Sequence, residues 1–298
     1  MKLRKIFISG FCAILACAII SLSFFLMTSP LALQKILSLK IIDYKSNPYS
    51  QEFSVFEDQE ISDFIGSIPY RNNATNSWFV APELKFNDTI LGGNGNCSNL
   101  AFGAMYAFIN SRKQAAIIHL LKKDYEFLHG DGHTVLSVNL KNQSIVLDIL
   151  EGGIPLQNNE YINAHNFNYN HEDKFTHKVL NDRKDSQNKY FTNNYLQEVE
   201  LGLIPQNEIV NYFNFLDRFY FQFNNIYVEK LVYDLLSIMF GYYPNTYVDE
   251  TFFWKTYNEN KIQVFFSYVF YVSFHLLYII FFLLLIQSIL FILKKNKS

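Results

Sequence analysis

A chain of 298 residues with a net charge of -2 and no long run of one sign lacks the clustered Lys and Arg that phosphate binding needs, which excludes nucleic acid as a partner. It is long enough for one large core or two small ones. Half of it is hydrophobic and 17% is aromatic, above an ordinary soluble composition, and the excess is concentrated at the two ends.

At the N-terminus, Lys2, Arg4 and Lys5 precede twenty-two uncharged residues, Ile6 to Met27. A basic start before an apolar run fits a signal peptide. No small-x-small cleavage site follows, however, and the run is long enough for a bilayer. Ile14-Leu15-Ala16-Cys17 resembles a lipoprotein cleavage box only faintly, because strongly apolar sequence continues past Cys17. Residues 1–27 are therefore expected to be a transmembrane anchor, with a signal peptide as the alternative.

Residues 28–91 read as the N-terminal part of a soluble domain. Leu33, Ile36, Leu37 and Ile41 have helical spacing, which predicts a helix over Leu31 to Ile42 that Asn47-Pro48 breaks. Glu57 to Ile68 predicts a short acidic helix ended by Pro69. Asn72 to Asn76 is a polar turn region, and Trp78-Phe79-Val80 a short apolar segment.

Residues 92–156 read as the core. Gly92 to Gly95 permit backbone conformations closed to other residues. A helix is expected from Cys97 to Asn110, with Cys97, Ala101, Ala104 and Phe108 on one face, where the small residues allow close packing on a sheet. Ala115 to Leu121 predicts a buried strand, and Lys122 to Glu126 a polar connection. Thr134 to Leu140 and Ser144 to Leu150 predict a hairpin. A two-residue loop at Lys141-Asn142 places His133 and Asp148 on one face, whereas a three-residue loop separates them.

Residues 157–194 are rich in Asn, His, Asp and Lys and read as a polar loop or lid. Within it, His165, His171 and His177 read as solvated loop residues. Residues 195–261 read as a helical, aromatic-rich support region, with Tyr212, Phe213, Phe215, Phe219, Tyr220 and Phe223. Ile262 to Leu293 is uncharged, carries Tyr268, Tyr271 and Tyr278 toward one end, and includes His275, read as a tolerated polar group. Residues 262–293 are therefore expected to be a second transmembrane helix and 294–298, with Lys294, Lys295 and Lys297, a basic cytoplasmic tail. Basic residues at both extremes put both termini in the cytoplasm and the middle domain in the periplasm or outside the cell, as a membrane protein of the cell envelope with the lipid bilayer as partner.

The chemistry rests on three side chains. Cys12 and Cys17 lie in the N-terminal apolar run, so Cys97 is the only thiol in the middle and forms no disulfide there. It is a buried filler or a reactive thiol. A thiol attacks carbonyl carbon as thiolate. The helix N-terminus and a neighbouring imidazolium both favour that form. The imidazole in turn needs a carboxylate to orient it. Cys97, His133 and Asp148 supply these types in order, each at the edge of a different expected element. The Cys97 backbone N–H is placed to help hold an oxyanion, while Asn96 reads as a local turn residue. Asn94 and Trp78 are the other upstream candidates for a side-chain donor.

Gly95-Asn96-Cys97 opening a helix, His133 at the start of a strand and Asp148 in the next strand resemble the transglutaminase-like branch of the papain-like thiol enzymes. The resemblance covers Gly92 to Pro155, with His133 36 residues after Cys97 and Asp148 15 after His133. It implies an α+β fold with the nucleophile's helix packed on an antiparallel sheet. It also implies Cys97 as nucleophile, His133 as general base and acid, Asp148 as orienting group, and an amide or peptide bond as substrate, hydrolysed or transferred. Thr134 and Val135 after His133, and Ile149 after Asp148, depart from the aromatic and the proline common in that family. The family spans peptidases, amide hydrolases, acyltransferases and inactive members, so the substrate class extends only to protein or peptide-like amides.

Two alternatives stand beside this reading. One is a non-catalytic envelope scaffold or binding protein that retains the fold. The other is a metal-dependent hydrolase using His129, Asp131 and His133, which are spaced to share one face of a strand, although Gly130 and Gly132 favour a turn there. The thiol scheme itself calls for no cofactor and no metal, and the oligomeric state is open.

Overall fold

The computed structural model describes residues 10–11, 13–20, 38–42, 48–49, 52–69, 77, 79–123, 132–141, 143–164, 172–181, 190–219, 223–240 and 242–295. In chain order the elements begin with β1 (Leu39–Ile41), α1 (Asp58–Ser67), α2 (Pro82–Phe86) and a π-helical turn, Asn87–Leu91. Then come α3 (Cys97–Asn110), β2 (Ala115–Lys122), β3 (Gly132–Leu140) and β4 (Gln143–Leu147). β5 (Gly153–Gln157), β6 (Glu160–Tyr161), β7 (Phe175–Val179) and the short α4 (Asn193–Leu196) follow. The C-terminal part holds β8 (Val199–Ile204), α5 (Gln206–Phe219), α6 (Ile226–Phe240), β9 (Thr246–Val248), α7 (Glu250–Glu259) and α8 (Lys261–Lys295).

β2 is central because Ala-Ala-Ile-Ile-His-Leu-Leu leaves neither face polar, so both must be covered. The six-stranded sheet runs β1-β9-β8-β2-β3-β4. Most neighbours are antiparallel, but β1 and β9 are parallel, with Leu39 opposite Thr246. On one face Ile117, Leu136, Val138, Ile145 and Leu147 pack with Leu100, Ala101, Ala104, Met105 and Phe108 of α3, with α1 and α5 alongside. On the other face Ile118, Leu120, Val135 and Val146 meet Phe191 and Leu196 from around α4. A smaller sheet, β6-β5-β7, is joined to the end of β4 through the Asp148–Gly153 bridge.

The architecture is α+β, and the large sheet is mixed, which corrects the antiparallel sheet expected. β1 explains the difference. Leu39–Ile41, where helical spacing predicted a helix, is drawn into strand by a partner supplied only by β9, some two hundred residues later. The helical, aromatic-rich region 195–261 also contributes β8, whose backbone pairs with β2. The described part of the polar excursion forms β6 and β7. Residues 165–171 and 182–189 of it, including His165 and His171, lie outside the described residues.

The two flanking transmembrane helices are corrected as well. Among the described residues no helix is long and apolar enough to cross a membrane. Near the N-terminus, described helix covers only 10–11 and 13–20, about half the roughly 20 residues a bilayer needs. α8 begins as part of the domain. Val264 and Ser273 are buried, and His275 Nδ1 pairs with the Tyr271 carbonyl at 2.9 Å, so this stretch mixes packed and polar groups. The transmembrane, cell-envelope and cytoplasmic-termini expectations, and the periplasmic or extracellular placement of the middle domain, lose their basis with the spans.

Candidate active site

The site is built from the start of α3 outward. Gly93 and Gly95 have φ of +69° and +114°, where side chains other than glycine are strained. A Cβ on Gly93 would lie 2.2 Å from the Pro69 carbonyl oxygen, and one on Gly95 2.8 Å from Asn99 Cβ. The chain thus turns sharply into Asn96, whose Oδ1 accepts from the Asn99 N–H at 2.9 Å and caps the helix. Asn94 is turned instead to Asp88, donating from Nδ2 at 2.8 Å. Both upstream asparagines thereby hold the turn. Trp78 lies outside the described residues. Cys97 is the first residue of α3, half-buried, where the positive end of the helix favours an anion.

The β3–β4 hairpin has the two-residue loop, with Leu140 opposite Gln143 and Leu136 opposite Leu147. His133 and Asp148 therefore share a face, on a diagonal at the end of the pair. His133 Nε2 donates to Asp148 Oδ2 at 2.7 Å, and both side chains are fully buried. Asp148 Oδ1 accepts from the Glu151 N–H at 3.0 Å in the turn that follows. His133 Nδ1 makes no hydrogen bond of ordinary geometry and is the nitrogen left to interact with the Cys97 thiol.

Burial alone would depress the His133 pKa, but the Asp148 charge and hydrogen bond, with a contribution from Cys97, raise it to about 9. Burial would raise the Cys97 thiol. The His133 hydrogen bond and charge, together with the Thr134 backbone N–H, outweigh that and lower it. Burial also opposes ionisation of Asp148, and the His133 charge and hydrogen bond overcome it, aided by the Glu151 N–H and by His177. The three shifts run the same way, each favouring the charged form of its group.

Three neighbours were not read from the sequence. Tyr190 stacks on His133, with ring centroids 3.7 Å apart and planes 5° apart. His177, expected in a solvated loop, sits on β7 with its ring against Gly153 and its pKa lowered by burial. Thr134 serves through its backbone N–H, while its hydroxyl pairs with His119 Nδ1 at 2.9 Å. No residue-type pattern announces a backbone donor or an aromatic 57 positions away from the histidine it covers.

His129 and Asp131 of the metal alternative lie outside the described residues. Among the described residues no group of three His, Cys, Asp or Glu side chains is disposed to hold a metal. A separate pocket of about 420 Å³, lined by Leu39, Tyr247, Phe253, Tyr257, Val264 and Tyr268, lies at the β1–β9 edge and contains none of the three site residues. Compared with known proteins, the chain matches no family model, no curated protein and no solved structure.

Proposed function

We propose that this protein is a thiol enzyme acting on an amide or peptide bond, by hydrolysis or acyl transfer, in the manner of the transglutaminase-like enzymes its core motif resembles. The observation that carries the reading is the buried 2.7 Å His133–Asp148 bond, which leaves the opposite ring nitrogen to the Cys97 thiol at a helix N-terminus. In this scheme the Cys97 thiolate attacks the carbonyl carbon and the C=O electron pair moves onto oxygen. The Cys97 N–H, a first-turn donor of α3, is the group this scheme assigns to that oxyanion. Collapse expels the amine, which takes the proton from His133 and leaves a thioester on Cys97. His133 then accepts a proton from water or an acceptor amine, which attacks the thioester and releases the thiolate. Asp148 keeps its charge throughout and holds the ring. Of the three, Cys97 alone is not fully buried.

The test is the pH dependence of iodoacetamide alkylation at Cys97, read by peptide mass spectrometry with exposed Cys17 as the internal reference. An activated thiol is alkylated at pH 6 on the order of tenfold or more faster than an ordinary thiol, since little of the latter is ionised there. A Cys97 profile rising with an ordinary thiol titration near ~8.5 overturns the reading.

A further inference from the structure

The contact between His133 and Tyr190 has an unusual geometry for two rings. Neutral aromatic pairs avoid a face-to-face sandwich and settle offset or edge-on, with centroids roughly 4.5–7 Å apart. Tyr190 and Tyr195 obey this, at 5.3 Å and 77°, as do Phe56 and Phe108 at 4.8 Å and 73°. Tyr190 and His133 do not, at 3.7 Å and 5°. Two neutral rings so placed set the negative faces of their quadrupoles against each other. The same placement becomes attractive when one ring carries a positive charge.

Resting on the reading above, we propose that Tyr190 is a positioning residue of the site, whose ring face lies on the His133 imidazolium, fixes its plane and favours its charged form opposite Cys97. Asp148 controls the ring within its plane and Tyr190 controls it from above. Neither contact alone holds both the tilt and the rotation of an imidazole. The supporting backbone is anchored. Phe191, the next residue, is 2% exposed in the second core layer, and Thr192 caps α4 by accepting from the Tyr195 N–H. Tyr195 then packs edge-on against Tyr190 from the following turn.

Among the described residues the titratable groups around the imidazole are few. Cys97 faces it from α3, Asp148 from the end of β4 and Tyr190 from the segment before α4. His177 reaches the same network from β7, through Asp148.

The experiment is an NMR titration of His133 in the full chain, as wild type, Tyr190→Phe, Tyr190→Leu and Tyr190→Ala, with Cys97 alkylation profiles measured in parallel. Phe keeps the π face, Leu keeps apolar bulk without it, and thermal melts identify any variant that fails to fold. The expected result is a His133 midpoint unchanged in Phe and lower by about half a pH unit or more in Leu and Ala. The ring-current upfield shift of the His133 Cε1 proton is retained in Phe and lost in Leu and Ala. A His133 midpoint and ring current that are the same in Leu as in wild type overturn the proposal, as does a Phe variant that behaves like Leu. If Cys97 alkylation is ordinary in wild type while the His133 midpoint still follows the variants as expected, the thiol-enzyme reading falls and the Tyr190 contact stands. If Cys97 is activated and every Tyr190 variant matches wild type, the reverse holds.

Discussion

One face of the β3–β4 hairpin carries two polar clusters at its opposite ends. At one end His133 and Asp148 pair on a diagonal of the register. At the other, Ser137 and Ser144 occupy the equivalent diagonal, 2.8 Å apart, with Val135 and Val146 between the two ends. The backbone geometry is the same, and the chemistry differs in how each network closes. Tyr49 OH bonds both Ser137 and Ser144, at 2.8 Å to the latter, so three neutral hydroxyls satisfy one another in a ring. The His133–Asp148 network is charged and ends on a nitrogen without an ordinary partner, beside a thiol. A closed neutral ring is a structural device. An open charged one holds a proton-transfer group ready, and its imbalance is what separates a candidate site from a buried polar cluster.

The largest expected effect comes from breaking the charged end. Asp148→Ala leaves His133 buried without its partner, and loss of one member of such a pair costs about 3–5 kcal/mol. Urea unfolding at pH 7 reads the loss, and the fast alkylation of Cys97 at pH 6 should disappear with it. A cost near zero would mean that the pair is not held as an ion pair.

A second prediction concerns pH. The raised His133 pKa gives stability that is complete below its ordinary value of 6.5 and lost as pH rises through about 9. The lowered Cys97 pKa gives stability present above its ordinary value of 9.0 and lost as pH falls through the folded value. Below 9 the two oppose each other, because His133 loses stability as pH rises while Cys97 gains it. Wild-type stability should therefore change less with pH than the His133 contribution alone would make it. In Cys97→Ala only the His133 contribution survives. Stability then falls as pH rises above 6.5, by at most about 1.4 kcal/mol per pH unit. The fall ends below 9, since the Cys97 contribution to the raised value is gone. Urea midpoints from pH 6 to 9 in both proteins check this, and parallel curves would sink the coupled-charge account.

The smallest effect belongs to the closed end. Ser137→Ala removes one of three hydroxyls while Tyr49 and Ser144 keep their bond, so a loss of about 1 kcal/mol is expected, with no change in the Cys97 alkylation profile. A shifted profile would show that the two ends communicate along the hairpin.

Much of the core was legible because its signals are local. The span Cys97–Asn110 is bounded by a glycine turn and an Asn cap before it and a polar turn after it, and the structure has helix over the same residues. The apolar run at β2 marks a buried strand, and the two runs Thr134 to Leu140 and Ser144 to Leu150 around a short turn mark the β3–β4 hairpin. The parity of a two-residue loop is enough to put His133 and Asp148 together. Elsewhere local patterns misled. Helical spacing around Ile36 and Ile41 is real, yet Leu39–Ile41 is strand because β9 offers a parallel edge. Uncharged length at the two ends suggested two membrane spans, whereas among the described residues no helix has the length and apolarity to cross.

By itself the sequence determined the turn, the helix that starts at Cys97 and the hairpin, and it reduced the shared face of His133 and Asp148 to the length of one loop, because each depends on residues within a few positions or on strand parity. Tertiary structure alone decided which ring nitrogen is left for the thiol, which backbone N–H groups serve Cys97 and Asp148, and that Tyr190 covers His133. Those contacts join α3, β3 and the segment before α4 across long stretches of chain. They follow from how the layers close over the sheet, which no local spacing encodes.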